Sequence, residues 1–209
     1  MHLIPPVPET DPKRVLRARL RERRVRLSAG EAAGAAEAAS AWLTNSAEFR
    51  RAKRIAGYVA VRGELDPWLA LETALAAGKE VFLPRVADDG ALQFLPWRAQ
   101  TPLQPNRFGI PEPVANETLR APPPTLDLVI VPLLGFDRRG VRLGTGAGFY
   151  DRCFAFKQHT PDVPPRLAGF AHAFQECAAL VAADWDVPLD LVVTELGVTR
   201  FDPAAARES

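Results

Sequence analysis

The segment VIVPLLGFDRRGVRLGTGAGFYDR, Val129–Arg152, decides how the rest of the chain is read. Its opening belongs to a mostly apolar run, Leu126–Val131 (LDLVIV), that suits a strand buried on both faces and closed by Pro132. A loop follows in which Gly144, Gly146 and Gly148 alternate, before a stretch expected to be helical from near Gly148 to about His159. In parallel sheets, ligands sit beyond the carboxyl ends of the strands. A helix N-terminus there offers unpaired N–H groups to a phosphate, and glycine lets the backbone approach it closely with φ > 0. Arg138, Arg139, Arg142 and Arg152 add positive charge, and Asp151 is an oxygen ligand suited to Mg²⁺. Two familiar phosphate loops do not fit. Phe149 stands where the third small residue of GxGxxG belongs, and no Gly-Lys-Ser/Thr triplet is present. By itself, a GxGxG turn with arginines reads equally well as a flexible, solvated turn.

Outward from this segment the chain alternates between strand and helix patterns. On the N-terminal side, Asp11 as N-cap and Pro12 at the first position start a helix that runs to Leu27. Ser28 with Glu31 forms a capping box for an Ala-rich helix to about Leu43. Arg54–Val61 reads as a strand, Pro67–Ala77 as a helix ended by Gly78, and Glu80–Leu83 as a short strand closed by Pro84. Leu92–Trp97 is a further strand after the turn Asp88-Asp89-Gly90, and the polar, proline-broken stretch 98–106 reads as loop. On the C-terminal side the pattern gives a strand at Leu167–Ala171, a helix at Phe174–Val181 and a last strand at Leu189–Thr194. The alternation predicts one α/β domain over residues 11–200, with loose tails at 1–10 and 201–209. Its core is a mostly parallel central sheet with helices on both faces.

Composition narrows the function classes. The chain has 209 residues, 47% hydrophobic and 24% charged, with a formal net charge of +1. That leaves no whole-molecule field for nucleic acid or membrane. The charge is uneven, because residues 13–26 (KRVLRARLRERRVR) carry eight Lys/Arg against one Glu. Cys153 and Cys177 have no metal-type spacing and fit a reducing cytoplasm. The N-terminus lacks the basic and apolar regions of a signal peptide, and no window approaches the roughly 18 apolar residues of a membrane span. A cytoplasmic location is expected.

The whole string around the glycines goes further. The pattern P-G-x-x-F-D-x-x-G-x-R-L-G-x-G-x-G-Y-Y-D-R appears here as PLLGFDRRGVRLGTGAGFYDR. In order along the chain stand K-x-x-x-R at Lys13–Arg17, then Tyr58, Glu64 and Asp66, then Leu83–Arg85 with Phe108–Pro113, and finally Asp186–Glu195. Together these five motifs, spanning about residues 12–195, resemble the 5-formyltetrahydrofolate cyclo-ligase family. The resemblance implies a three-layer fold like that of the NagB/RpiA/CoA-transferase proteins. It also implies an ATP- and Mg²⁺-dependent ligase acting on a reduced folate, functioning without nucleic acid or membrane and expected to be monomeric.

Carried over residue by residue, the resemblance implies that Lys13, Arg17 and the loop Arg142, Leu143, Gly144, Thr145, Gly146, Ala147, Gly148, Phe149 and Tyr150 contact ATP. Val59, Glu64 and the loop centre Thr145–Phe149 would meet the folate, with Glu64 on the pterin N–H groups. Asp151 and Asp186 would hold Mg²⁺, Arg142 and Asp151 would be catalytic, and Arg85 and Gln175 would be secondary phosphate or folate contacts. Asp66 is read as the cap of the helix after Pro67. None of His2, His159 and His172 is given a role. Departures from the family pattern stand at Leu133, Thr145, Ala147, Phe149 and Trp185. Two other readings remain open on the sequence. One is a paralogue of this fold acting as a phosphatase or kinase on another small molecule. The other is an RNA- or membrane-surface-binding module working through the basic helix 13–26.

Overall fold

The computed structural model describes residues 11–114 and 117–202. The tails expected at 1–10 and from 203 onward lie outside the described residues. Helix α1 (Pro12–Val25) starts as its sequence dictates, with the Asp11 carboxylate accepting from Lys13 N at 3.0 Å. In α2 (Ala29–Thr44) the Ser28/Glu31 capping box is reciprocal. A single turn, α3 (Ala47–Arg51), capped by Ser46, delivers the chain to β1 (Arg54–Ala56). Asp66 Oδ1 accepts from Trp68 N at 2.9 Å ahead of α4 (Trp68–Ala76), as expected of a cap, and Gly78 leaves the helix with φ +74°.

The remaining elements are β2 (Glu80–Val86), β3 (Leu92–Trp97), β4 (Leu103–Pro105), β5 (Pro111–Pro113), β6 (Leu128–Pro132), β7 (Gly135–Phe136) and β8 (Arg142–Leu143). They are followed by α5 (Phe149–Cys153), β9 (Arg166–Phe170), β10 (Leu191–Thr194) and β11 (Gly197–Arg200). Seven strands make one sheet in the order β11-β10-β9-β6-β1-β2-β3. The five inner strands are mutually parallel, and β3 and β11 add antiparallel edges. The α/β reading with a mostly parallel sheet therefore holds.

The all-apolar β6 is explained by its two buried faces. Leu128 and Ile130 pack with Leu43, Phe49, Ile55 and Leu71 under α2 and α4. Val129 and Val131 pack on the other face with Phe136, Phe154, Val187 and Leu189.

Several boundaries differ from the sequence reading. β2 runs through Pro84 rather than stopping there. Gly57 N donates to Phe82 O, so Phe82 faces β1, and Pro84 points the same way past the end of β1, where no ladder bond is asked of its nitrogen. For the same reason β1 ends at Ala56, and residues 57–61 leave the sheet. The stretch read as loop contains β4, paired with β5. The helix expected from Gly148 to His159 breaks at Phe154 (φ −107°) into α5 and a 3₁₀ turn at Ala155–Gln158. There the buried Lys157 ammonium donates to the Pro161 and Val163 carbonyls.

The helix expected at Phe174–Val181 is only a 3₁₀ turn, Ala173–Gln175. Cys177 N donates to Phe136 O at 2.7 Å and Leu180 N to the Asp137 carboxylate at 3.0 Å. Those tertiary bonds hold the segment extended. Strand β11 follows from its pairing with β10, which no local signal announced.

Gly140 shows how tightly the crossover is packed. It has φ +82°, and a Cβ there would stand 2.9 Å from Leu189 O and from the Phe201 ring. Gly140→Ala is expected to destabilise the fold by about 2–3 kcal/mol. Gly34→Ala, in α2 with nothing within 4 Å, is expected to stabilise it by about 0.5–1 kcal/mol. Urea midpoints of the two variants check both signs.

Candidate active site

The chain steps from β1 to β2 on one side of the sheet and enters β6 on the other, so the winding reverses between β1 and β6. Ligands in open α/β sheets settle at such a reversal, beyond the carboxyl ends of the strands. A cavity of about 270 Å³ lies there. Tyr58 and Val59 after β1, Pro84 and Val86 at the end of β2, and Pro132 at the end of β6 form its floor. Its sides are Arg24 of α1, the turn Val61–Glu64, the β4–β5 hairpin, and the loop and first turn from Arg142 to Asp151. The hairpin is braced by Glu112, whose carboxylate accepts from Val86 N at 2.9 Å and Asn106 Nδ2 at 2.6 Å. Phe108 at its tip meets Phe149 edge-on, with ring centroids 6.3 Å apart.

The glycine loop sits as the sequence requires, with Gly146 at φ +109° and Gly148 at φ +65°. Its main chain is gripped from two directions. Arg17 Nε of α1 donates to Gly144 O at 3.0 Å, and Arg21 Nη2 to Thr145 O at 3.2 Å. From beyond the loop, Arg152 donates to Ala147 O at 2.8 Å while its guanidinium lies over the Phe149 ring. Because α5 has only five residues, a macrodipole contributes little to phosphate binding. Backbone N–H groups and the basic residues of α1 remain as the candidate donors to an anion.

Arg142 is placed differently from the expectation of a phosphate contact. It is buried, and its guanidinium donates to Val187 O and to Asp151 Oδ1. Asp151 Oδ1 also accepts from Val187 N at 3.2 Å. Arg142 thus orients Asp151 and ties the loop to the segment bearing Asp186.

That segment borders a second cavity of about 390 Å³, lined by Val141, Arg142, Gln158, His159, Ala182–Asp184 and Asp186–Pro188. Arg142 is part of the wall of both cavities. Asp186 Oδ2 accepts from Ala183 N at 2.9 Å. Each of the two aspartates therefore keeps one carboxylate oxygen that makes no hydrogen bond among the described residues. Two carboxylates on adjoining segments are a donor set suited to Mg²⁺, which takes one or two carboxylates and completes its shell with water and phosphate oxygens. No group of three or more His, Cys, Asp or Glu side chains able to cage a metal is found among the described residues.

Glu64 and Val59 line the first cavity together. Glu64 Oε2 accepts from Val61 N at 3.1 Å, and its Oε1 lies 3.8 Å from Arg24 Nη1. Burial pushes the Glu64 carboxyl above its ordinary range, opposed by the Val61 N–H and by Arg24. Gln175 is not among the residues that line the cavity. It is buried, with its amide nitrogen on the Leu133 and Leu134 carbonyls and its oxygen accepting from His172 N. Burial also raises the Cys153 thiol, to about 12, so no thiolate nucleophile is available there. Lys13 is half-buried one turn before Arg17, and Arg85 is half-buried in β2.

Arg21 and Arg24 were not singled out from the sequence, and Tyr58, Phe108 and Glu112 stood there only as motif positions without a role. For the arginines a signal existed. Lys13, Arg17, Arg21 and Arg24 recur every three or four residues, so they share one face of α1. Leu16 and Leu20, at the same spacing, pack beside Leu134 and Leu143.

A family profile described as the 5-formyltetrahydrofolate cyclo-ligase family matches residues 9–195, all but the two ends of the chain. The chain belongs to that family. The Haemophilus influenzae 5-formyltetrahydrofolate cyclo-ligase is 34% identical over 187 residues, covering 88% of this chain and 98% of the relative. The Escherichia coli K12 protein of the same name is 39% identical over 145 residues, 68% and 78% of the two chains. In solved structures the same architecture appears in Aquifex aeolicus 5,10-methenyltetrahydrofolate synthetase. That structure has a TM-score of 0.76 and 32% identity over 94% of each chain. The matched span contains Asp151, Asp186 and the glycine loop. Of its departures, Thr145, Ala147 and Trp185 are all exposed, Trp185 at 69%. Thr145 and Ala147 line the first cavity, whereas Trp185 lines neither.

Proposed function

We propose that this chain converts 5-formyltetrahydrofolate to 5,10-methenyltetrahydrofolate at the expense of ATP, releasing ADP and phosphate. The observation that carries the reading is the position of the loop 142–151. It lies between the basic face of α1 on one side and the Glu64 wall on the other, so it adjoins both a cluster of cationic side chains and the cavity.

An amide oxygen is a poor leaving group until it is phosphorylated. In the proposed reaction the formyl oxygen attacks the γ-phosphorus and ADP departs. N10 then bonds to the formyl carbon and gives up its proton to water, and the C–O bond breaks to release phosphate carrying the former formyl oxygen. The chain's task is to hold the two reactants in line and offset the developing charge. Lys13, Arg17 and the N–H groups of the glycine loop would bind the phosphates. Glu64 would accept hydrogen bonds from the pterin, and Val59 and Phe149 would flank it. Asp151 and Asp186 would hold Mg²⁺, which when bound neutralises phosphate charge. Arg142 keeps Asp151 in place.

Incubation with ATP, Mg²⁺ and 5-formyltetrahydrofolate is expected to develop the strong near-ultraviolet absorbance of the methenyl product, with one ADP formed per turnover. Absence of both signals would overturn the assignment. ADP release without the absorbance change would favour a phosphatase or kinase acting on another small molecule.

A further inference from the structure

Of the eight basic residues between 13 and 26, Arg24 alone is buried. Nothing about an exposed basic helix requires that. Desolvating a guanidinium is costly unless its donors are used. Arg24 Nη1 donates to Leu133 O at 3.4 Å at the end of the β6 segment, and Nη2 to Arg62 O at 3.1 Å. Its Nη1 also lies 3.8 Å from Glu64 Oε1, with both side chains largely buried.

The turn it holds is an unusual one. Arg62 has φ +53°, a left-handed conformation that non-glycine residues adopt at a cost of about 1 kcal/mol or more. Gly63 follows at φ +73°, and a Cβ there would stand 3.2 Å from Arg24 O. The turn therefore lies directly on the end of α1, and a side chain bond from α1 fastens its strained residue.

We infer that Arg24 is a positioning residue for the folate site: it fixes the turn Val61–Glu64 and presents the Glu64 carboxylate to the cavity. The inference rests on the reading of Glu64 as the group that meets the pterin. Besides Arg24 from α1, the charged and titratable groups around Glu64 are Arg62 of its own turn, Tyr58 after β1 and Tyr150 of α5. His172 lies behind Arg24. Arg24 is the positive charge that most opposes the effect of burial on Glu64. Deleting that charge lifts the Glu64 carboxyl further, so ionised Glu64 is reached only at higher pH.

The test is steady-state kinetics of the full chain with ATP and 5-formyltetrahydrofolate across pH. R24M is expected to raise KM for the folate about tenfold or more at neutral pH, the worth of one charged hydrogen bond. KM for ATP and kcat should stay within about twofold, because Arg24 touches neither the glycine loop nor Asp151. The acid limb of kcat/KM for the folate should move to higher pH. R24K retains the charge, so its limb should stay with the wild type. Its KM should still rise, since one ammonium cannot reach both the Leu133 and Arg62 carbonyls. A purely structural tether would raise KM equally at every pH. R24Q serves the same comparison if R24M does not fold. Should E64Q raise the folate KM while R24M and R24Q leave both KM and the acid limb unchanged, the role of Arg24 is overturned. Should E64Q itself leave the folate KM unchanged, it is the reading of Glu64 that fails.

Discussion

Asp151→Asn is expected to lower kcat about a hundredfold or more, the usual cost of one preorganised charge contact at a phosphoryl-transfer transition state. Asparagine keeps an oxygen at the Oδ1 position, so the bonds from Arg142 and Val187 N persist in shape while the negative charge goes. The buried Arg142 then loses its ionised partner. That weakens a charge-assisted bond and is expected to reduce stability by about 1–2 kcal/mol. A variant that folds yet turns over slowly is therefore the anticipated phenotype. Its magnesium requirement should rise as well, because Asp186 alone would remain to bind the ion. The methenyl absorbance assay at saturating folate and ATP, repeated over a magnesium series, reads both effects. Wild-type turnover in D151N would reject the metal role and leave Asp151 only the task of neutralising Arg142.

Much of this architecture was legible because the signals were local. Asp11-Pro12, Ser28 with Glu31, and Asp66-Pro67 each satisfy backbone donors within three residues, so the helix starts could be read without the fold. The mostly apolar run ending at Pro132 announced a central strand for an equally local reason. The glycine loop was legible through motif order, and Val59 with Glu64 does line the same cavity. What escaped was decided by distant partners. Residues 174–181 carry helical spacing, yet bonds to Phe136 and Asp137 hold them extended. The bond from Arg142 to Val187, forty-five residues later, likewise had no local signal. Gln175 is polar and near the expected site, yet the β6 end claims its amide.

The basic stretch 13–26 shows how an ambiguous composition is resolved by geometry. As a charge run it suited a solvated face or a polyanion-binding helix. In the fold, Arg17 and Arg21 grip the glycine loop and Arg24 braces the Glu64 turn, so one face of α1 is spent on the cavity. A rise of about 1.5 Å per residue spaces Lys13 and Arg24 about 16 Å apart along the axis. The helix can thus contribute to the proposed nucleotide end and the proposed folate end of one elongated site. A change that shifts α1 should therefore disturb both substrates together, whereas a change confined to one of its side chains should disturb one.

Asp137→Ala is expected to be the most destabilising single substitution near the site. The side chain is 1% exposed and serves five donors. Oδ1 accepts from Arg139 N at 2.9 Å and Val141 N at 3.2 Å. Oδ2 accepts from Arg139 Nη2 at 2.8 Å, Arg139 Nε at 3.1 Å and Leu180 N at 3.0 Å. Alanine takes the acceptor from three backbone N–H groups, two of them buried, and from part of a guanidinium. Losing one partner of such a buried charged network costs about 3–5 kcal/mol, or roughly 10 °C in Tm for a chain of this size. The bond to Leu180 also fixes the stretch that leads to Asp186 and Val187, so the damage should reach the chemistry. D137A should therefore need more magnesium for half-maximal activity than wild type, even well below its melting temperature. D137N, which keeps an acceptor at one position, should fall between the two in both measurements. A Tm for D137A within about 2 °C of wild type would show that the carboxylate is not what holds 177–187 against the site, and the backbone pairing of Cys177 with Phe136 would have to carry that load alone.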